Sequence, residues 1–97
     1  MLDAEDNRIN QLLPEIRNLT QLTSLNLGRN RIQIVPSEIG DLEKLQELRL
    51  HHNTIQAIPS AIGRLLELRL LDASENQLTT VPRNLCRYAN LVTKRAL

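Results

Sequence analysis

The sequence has no Phe and no Trp, and only one Tyr, one Cys and one Met in 97 residues. Each shortage excludes something. A lone cysteine cannot close an intrachain disulfide, and the sparing use of cysteine suits a reducing compartment. Without aromatic platforms the chain lacks what single-stranded nucleic acid stacks on. No excess charge of either sign compensates: 12 Lys+Arg stand against 11 Asp+Glu, a net charge of +1, which disfavours nucleic acid and anionic membrane surfaces as primary partners. No apolar run approaches the ~18 residues of a membrane helix. The opening Met1-Leu2-Asp3-Ala4-Glu5-Asp6 is acidic where a secretory signal is basic and then apolar. The expectation is one cytoplasmic domain over 1–97, with an aliphatic core drawn from 20 Leu and 8 Ile.

That leucine is distributed with a period of 23. Asn7, Asn30, Asn53 and Asn76 keep the step, as do Leu2, Leu25, Leu48 and Leu71, and Ile9, Ile32, Ile55 and Leu78. Leu12, Val35, Ile58 and Val81 follow, each of the last three preceding Pro36, Pro59 or Pro82; the first unit has its Pro14 one place late. The complete copies are 22–44, 45–67 and 68–90, with a partial unit at 1–21 and a stub at 91–97. Each reads L-x-x-L-x-L-x-x-N-x-I-x-x-V-P-x-x-I-x-x-L-x-x. Fixed self-similarity of 20–50 residues indicates a solenoid.

This pattern resembles the leucine-rich repeat family over essentially the whole chain. The Ile39-Gly40-Asp41-Leu42 and Ile62-Gly63-Arg64-Leu65 segments resemble its intracellular 23-residue subgroup, which includes Ras-pathway scaffolds and Scribble- and Erbin-type polarity proteins. The resemblance implies an α/β solenoid with a parallel sheet on the concave face and irregular, 3₁₀ or short helical convex segments. It also implies a non-enzymatic scaffold that binds a protein partner in signalling.

The residues support the same architecture. Leu48 and Leu50 alternate with Arg49, the period-2 mark of a strand with one buried face. Each unit needs its neighbours to bury that face. Asn7, Asn30, Asn53 and Asn76 would stack as a structural ladder, their short amides satisfying turn backbone. Proline suits the non-strand return path, and Ser37–Leu42 is long enough only for a 3₁₀ turn or short helix.

Residues between the strand leucines point to the concave face. Read across units, the rows are Asp3/Asn26/Arg49/Asp72, Glu5/Gly28/His51/Ser74 and Asp6/Arg29/His52/Glu75, with Ser24, Glu47 and Leu70 before them. Strands ~4.8 Å apart put row members in contact, so Arg49 should meet Asp72 and Arg29 should sit between Asp6 and His52. The candidate partner-binding residues are Asn26, Arg29, Glu47, Arg49, His51, His52, Leu70, Asp72, Ser74 and Glu75. Leu70, with Leu66, is either an apolar contact spot or a scattered surface leucine. Hot spots favour Trp, Tyr and Arg, so Arg29 and Arg49 carry the expectation.

Catalysis and cofactors find no motif: there is no phosphate loop, no metal-spaced Cys/His set and no nucleophile elbow. His51 and His52 are expected on different sides of their strand, unsuited to joint metal chelation. Cys86 reads as a packed or partly exposed convex thiol. The scattered cations Arg83, Arg87, Lys94 and Arg95 do not make a nucleic-acid site. Lys94 falls 23 residues after Leu71, and with Arg95 would shield the last leucine layer. The first unit has no evident cap, and residues 1–21 carry net −2 against net +3 for 68–97. Weak head-to-tail self-association through the ends is therefore the alternative to concave binding. A third is that the repeats form the recognition arm of a larger signalling protein.

Overall fold

The computed structural model describes residues 1–79 and 91–92. Five short strands, β1 (Leu2–Asp3), β2 (Ser24–Asn26), β3 (Glu47–Arg49), β4 (Leu70–Asp72) and β5 (Leu91–Val92), form one parallel sheet in sequential order. The first three pairings repeat the 23-residue step: Leu2 faces Leu25, Leu25 faces Leu48, and Leu48 faces Leu71. A one-residue slip would turn every leucine to solvent, so the hydrophobic pattern pins the register. The return path of each unit carries one 3₁₀ helix: Pro14–Asn18, Ser37–Asp41 and Ser60–Arg64. Pro36 and Pro59 occupy the N-cap of the second and third, and Pro14 is the first residue of its own, so the late proline of the first unit is accommodated by one position.

One register expectation is corrected. Leu91 faces Leu71, a step of 20 residues, so the place opposite Leu71 that a 23-residue step assigned to Lys94 is taken by Leu91. The proposed shielding by Lys94 and Arg95 lies outside the described residues, as do Arg83, Cys86 and Arg87.

The core is a single aliphatic column. Leu25, Ile32, Ile39, Leu42, Leu45, Leu48, Leu50, Ile55, Ile62, Leu65 and Leu71 are fully buried, with Ala4, Ile9, Leu12 and Ile16 of the first unit and Leu22 at the start of the second only partly covered. Each such leucine or isoleucine contributes ~1.5–3 kcal/mol by leaving water.

The strand ends turn sharply at asparagine. Asn53 Oδ1 accepts the Ile32 N–H at 3.0 Å, while its Nδ2 donates to the carbonyls of Leu27 and Leu50 at 3.0 Å. Asn30 and Asn76 bridge in the same way, their Oδ1 atoms taking the N–H of Ile9 and Ile55 in the preceding unit. Asn7, among the described residues, bonds only to Ala4 and Glu5 of its own turn. The residue before each asparagine is left-handed: Asp6 (φ 63°), Arg29, His52 and Glu75 (each φ 55°). None of these is glycine, although that conformation costs an ordinary residue ~1–2 kcal/mol. The ladder holds it in place: Arg29 N–H donates to the His51 carbonyl at 2.8 Å and His52 N–H to that of Ser74 at 3.0 Å.

Candidate concave binding face

The left-handed turns at the strand ends decide where the concave side chains go. Gly28 provides the gap. A Cβ there would overlap the His51 ring, so glycine lets that imidazole lie across the neighbouring unit. His51 thereby reaches past unit two to unit one: its Nε2 is 3.7 Å from Glu5 Oε1, and its Nδ1 is 3.7 Å from Asp72 Oδ2 of unit four. Nδ1 is buried and, among the described residues, makes no hydrogen bond.

The first carboxylate also gathers other groups. Asn26 Nδ2 donates to Glu5 Oε1 at 2.7 Å, and Arg29 Nε lies 3.6 Å from Glu5 Oε2. Asp72 Oδ1 accepts from the Ser74 N–H at 3.0 Å and from its hydroxyl at 2.7 Å. Asn26 closes the equivalent turn by accepting the Gly28 N–H at 3.0 Å, and Asp3 does so for Glu5. These short polar side chains are used as turn-formers, competing for backbone donors as Asn and Asp commonly do.

Arg49 occupies the same register position but has no acceptor with which to close such a turn. Its guanidinium instead pairs with Glu47 of its own strand at 3.3 Å, and Glu47 also takes a 3.4 Å hydrogen bond from Ser24. Leu70 stands beside Glu47 across the β3–β4 pairing and is half-buried.

Three expected contacts are therefore corrected. Arg49 pairs with Glu47 rather than Asp72, because Asp72 is committed to the Ser74 turn. Arg29 turns to Glu5 rather than sitting between Asp6 and His52, because its backbone is left-handed. His51 and His52 do not diverge: their rings meet edge to face, with centroids 5.8 Å apart at 83°, since the left-handed turn at His52 folds its side chain back. Asn26 is buried and bonded, so its role is to hold Glu5 and the Gly28 turn. Glu75 sits at the left-handed corner of unit four, half-buried. The cross-unit reach of His51 was missed; the alternation of Gly28 with His51 in one row was its signal.

Among the described residues no group of three or more His, Cys, Asp or Glu could hold a metal ion, and no helix is long and apolar enough to cross a membrane.

The profile of the leucine-rich repeat region matches residues 1–93. No curated protein sequence matches the chain. Among solved structures it is similar to a leucine-rich repeat protein of Leptospira interrogans, at 39% identity and a TM-score of 0.86 over 93% of this chain and 23% of that one. It is also similar to the leucine-rich repeat ectodomain of the plant membrane receptor kinase GASSHO1/SCHENGEN3 from Arabidopsis thaliana, in complex with Casparian strip integrity factor 2. Identity there is 40% and the TM-score 0.74, over 84% of this chain and 10% of that one. The BIR3–SERK2 complex of the same plant gives 28% identity and a TM-score of 0.82, over 95% of this chain and 53% of its counterpart. The chain thus spans about half the length of the third relative and a quarter or less of the first two. On its repeats, its stacked sheet and this match, the chain belongs to the leucine-rich repeat family.

Proposed function

We propose that this solenoid is a non-enzymatic protein-interaction module that takes a protein partner on its concave strand face. The observation that carries the reading is the Arg49–Glu47 pair. It lies mid-face, partly exposed, beside half-buried Leu70, and is held by one contact of 3.3 Å within a single strand. Such a pair is worth ~0–1 kcal/mol, so a partner carboxylate can displace Glu47 and take the guanidinium at little cost. Arg29, similarly held at 3.6 Å by Glu5, offers a second anchor. Solenoids use the extended concave surface in this way, and the two complexes above contain chains of the same fold. The Val/Ile-Pro and Ile-Gly-x-Leu signature supports a place in the Ras-group, Scribble- and Erbin-like subgroup, hence cytoplasmic scaffolding in signalling; the single cysteine is consistent with that compartment.

The test is quantitative affinity capture from cell lysate with wild type and Arg49→Glu, with circular dichroism to confirm the fold. A specific partner lost from the mutant supports the reading; equal recovery by both proteins refutes concave binding.

A second reading has its own observation. At the first unit Met1, Leu2, Leu13 and Leu19 are exposed, an apolar end with no layer over it. End-to-end self-association would cover it. Light scattering across a concentration series decides this: a mass that stays monomeric, insensitive to Leu19→Ser, rules it out.

A further inference from the structure

The rung that follows each asparagine turn leads onto a lateral flank of a different character. Residues 8–13, 31–35, 54–58 and 77–79 contain no Asp or Glu, and two cations, Arg8 and Arg31, occur there in register. The backbones are locked side by side at this level: Arg31 N–H donates to the Ile9 carbonyl at 2.8 Å, and Thr54 N–H to that of Ile32 at 3.0 Å. Adjacent rungs lie ~4.8 Å apart. Arg8 and Arg31 thus stand on adjacent rungs, both exposed, and among the described residues neither takes part in an ion pair. Glu5, the carboxylate nearest in sequence after Asp6, is committed to Asn26 and Arg29.

Two residues further along the same rungs the surface is hollowed. A cleft of about 340 Å³ is lined by Asn10, Gln11, Leu12, Gln33 and Ile34. Two further hollows, of about 220 and 280 Å³, share Gln33 and Ile34 and extend the depression to Gln56 and Gln77. Ile34 is 75% exposed at its centre. The side-chain amides of Asn10, Gln33 and Gln56 make no hydrogen bond among the described residues.

We propose that this flank is a second docking surface, whose occupant is an extended peptide segment carrying one or two carboxylates and an aliphatic side chain. Arginine forks match carboxylates in bidentate geometry. Amide side chains offer both donors and acceptors, which is what an extended peptide backbone needs. Ile34 and Leu12 supply the apolar seat. The four rungs from Arg8 to Gln77 span ~14 Å, the length of ~4–5 extended residues. The acidic end would lie over units one and two, and the neutral remainder over units three and four. Two cations without aromatic neighbours are too few for a nucleic-acid track. The site is independent of the concave face.

The experiment is a selection from a random hexapeptide display library on the intact chain, with Arg8→Glu/Arg31→Glu and Arg49→Glu in parallel and circular dichroism on each. Fluorescence anisotropy then follows a labelled hit. Wild type and Arg49→Glu should enrich peptides combining Asp or Glu with Leu, Ile or Val. The double reversal should not, and should weaken the hit at least tenfold; Ile34→Ser should weaken it several-fold, and 500 mM salt should weaken it also. Absence of acidic enrichment on wild type, equal binding by the double reversal, or loss confined to Arg49→Glu would each overturn the proposal. So would a dimer in light scattering that the double reversal dissolves, since the occupant would then be a second copy.

Discussion

Unit one and unit three share the framework residues Leu2/Leu48, Asn7/Asn53 and Leu19/Leu65 at the same register positions, yet these sit in different surroundings. Leu2 is 40% exposed and Leu19 41%, whereas Leu48 and Leu65 are 0% exposed. Asn7 bonds within its own turn, whereas Asn53 ties together two units. The framework residues compared are identical. A repeat of this kind has two faces to bury, and among the described residues unit one is packed against unit two on one of them. Position in the stack, rather than residue identity, sets what each leucine contributes.

The comparison can be broken at the leucines. Leu48→Ala should cost ~3–4 kcal/mol in urea unfolding, transfer plus cavity. Leu2→Ala should cost under ~1 kcal/mol, because its side chain already meets water. Equal losses would mean that unit one is covered in solution.

The asparagines give the next largest difference. Asn53→Ala strips partners from the Ile32 N–H and the Leu27 and Leu50 carbonyls, and should cost ~2–3 kcal/mol. Asn7→Ala, at an exposed turn, should cost no more than ~0.5 kcal/mol. Native-state hydrogen exchange sharpens the same point: amides of unit one should exchange through local opening well before those of unit three.

Gly28→Ala should destabilise by ~1–3 kcal/mol by displacing the His51 ring. Combined with His51→Ala, most of that loss should disappear in a double-mutant cycle. A penalty that persists would place the strain in the backbone instead.

The smallest effect has the opposite sign. His52→Gly should gain up to ~1 kcal/mol by relieving a left-handed non-glycine residue. The equivalent change at exposed Asp6 should give a similar gain, because this strain is local. Asp41→Ala, which removes the Arg17 contact at 2.7 Å and the Arg64 contact at 3.3 Å on the convex side, should shift stability by no more than ~1 kcal/mol.

The solenoid was legible in the sequence because its information is one-dimensional. Leu25, Leu48 and Leu71 repeat at a step that places them on one line, and Asn30, Asn53 and Asn76 mark where each strand ends. The concave face was legible as a set of residues and not as a set of contacts. Rows drawn at equal steps paired Arg49 with Asp72, but the Asp72 carboxylate had a nearer donor in Ser74. The rows also assumed extended backbone, whereas Arg29 and His52 are left-handed, which redirects one toward Glu5 and the other onto His51. Glycine was no guide to those corners: no glycine has positive φ. Gly28 and Gly40 instead provide room, for the His51 ring and for the Arg64 guanidinium and Ala61 carbonyl respectively.

Periodicity therefore settled the fold, the strand register of the first four units and the aliphatic core, because these depend on which residues recur and how far apart. The commitments of Glu5 and Asp72 and the hollow around Ile34 depend on what each side chain meets in three dimensions. A charged side chain chooses among several partners within a few ångströms, and that choice turns on backbone dihedrals and on the space a neighbouring unit leaves open.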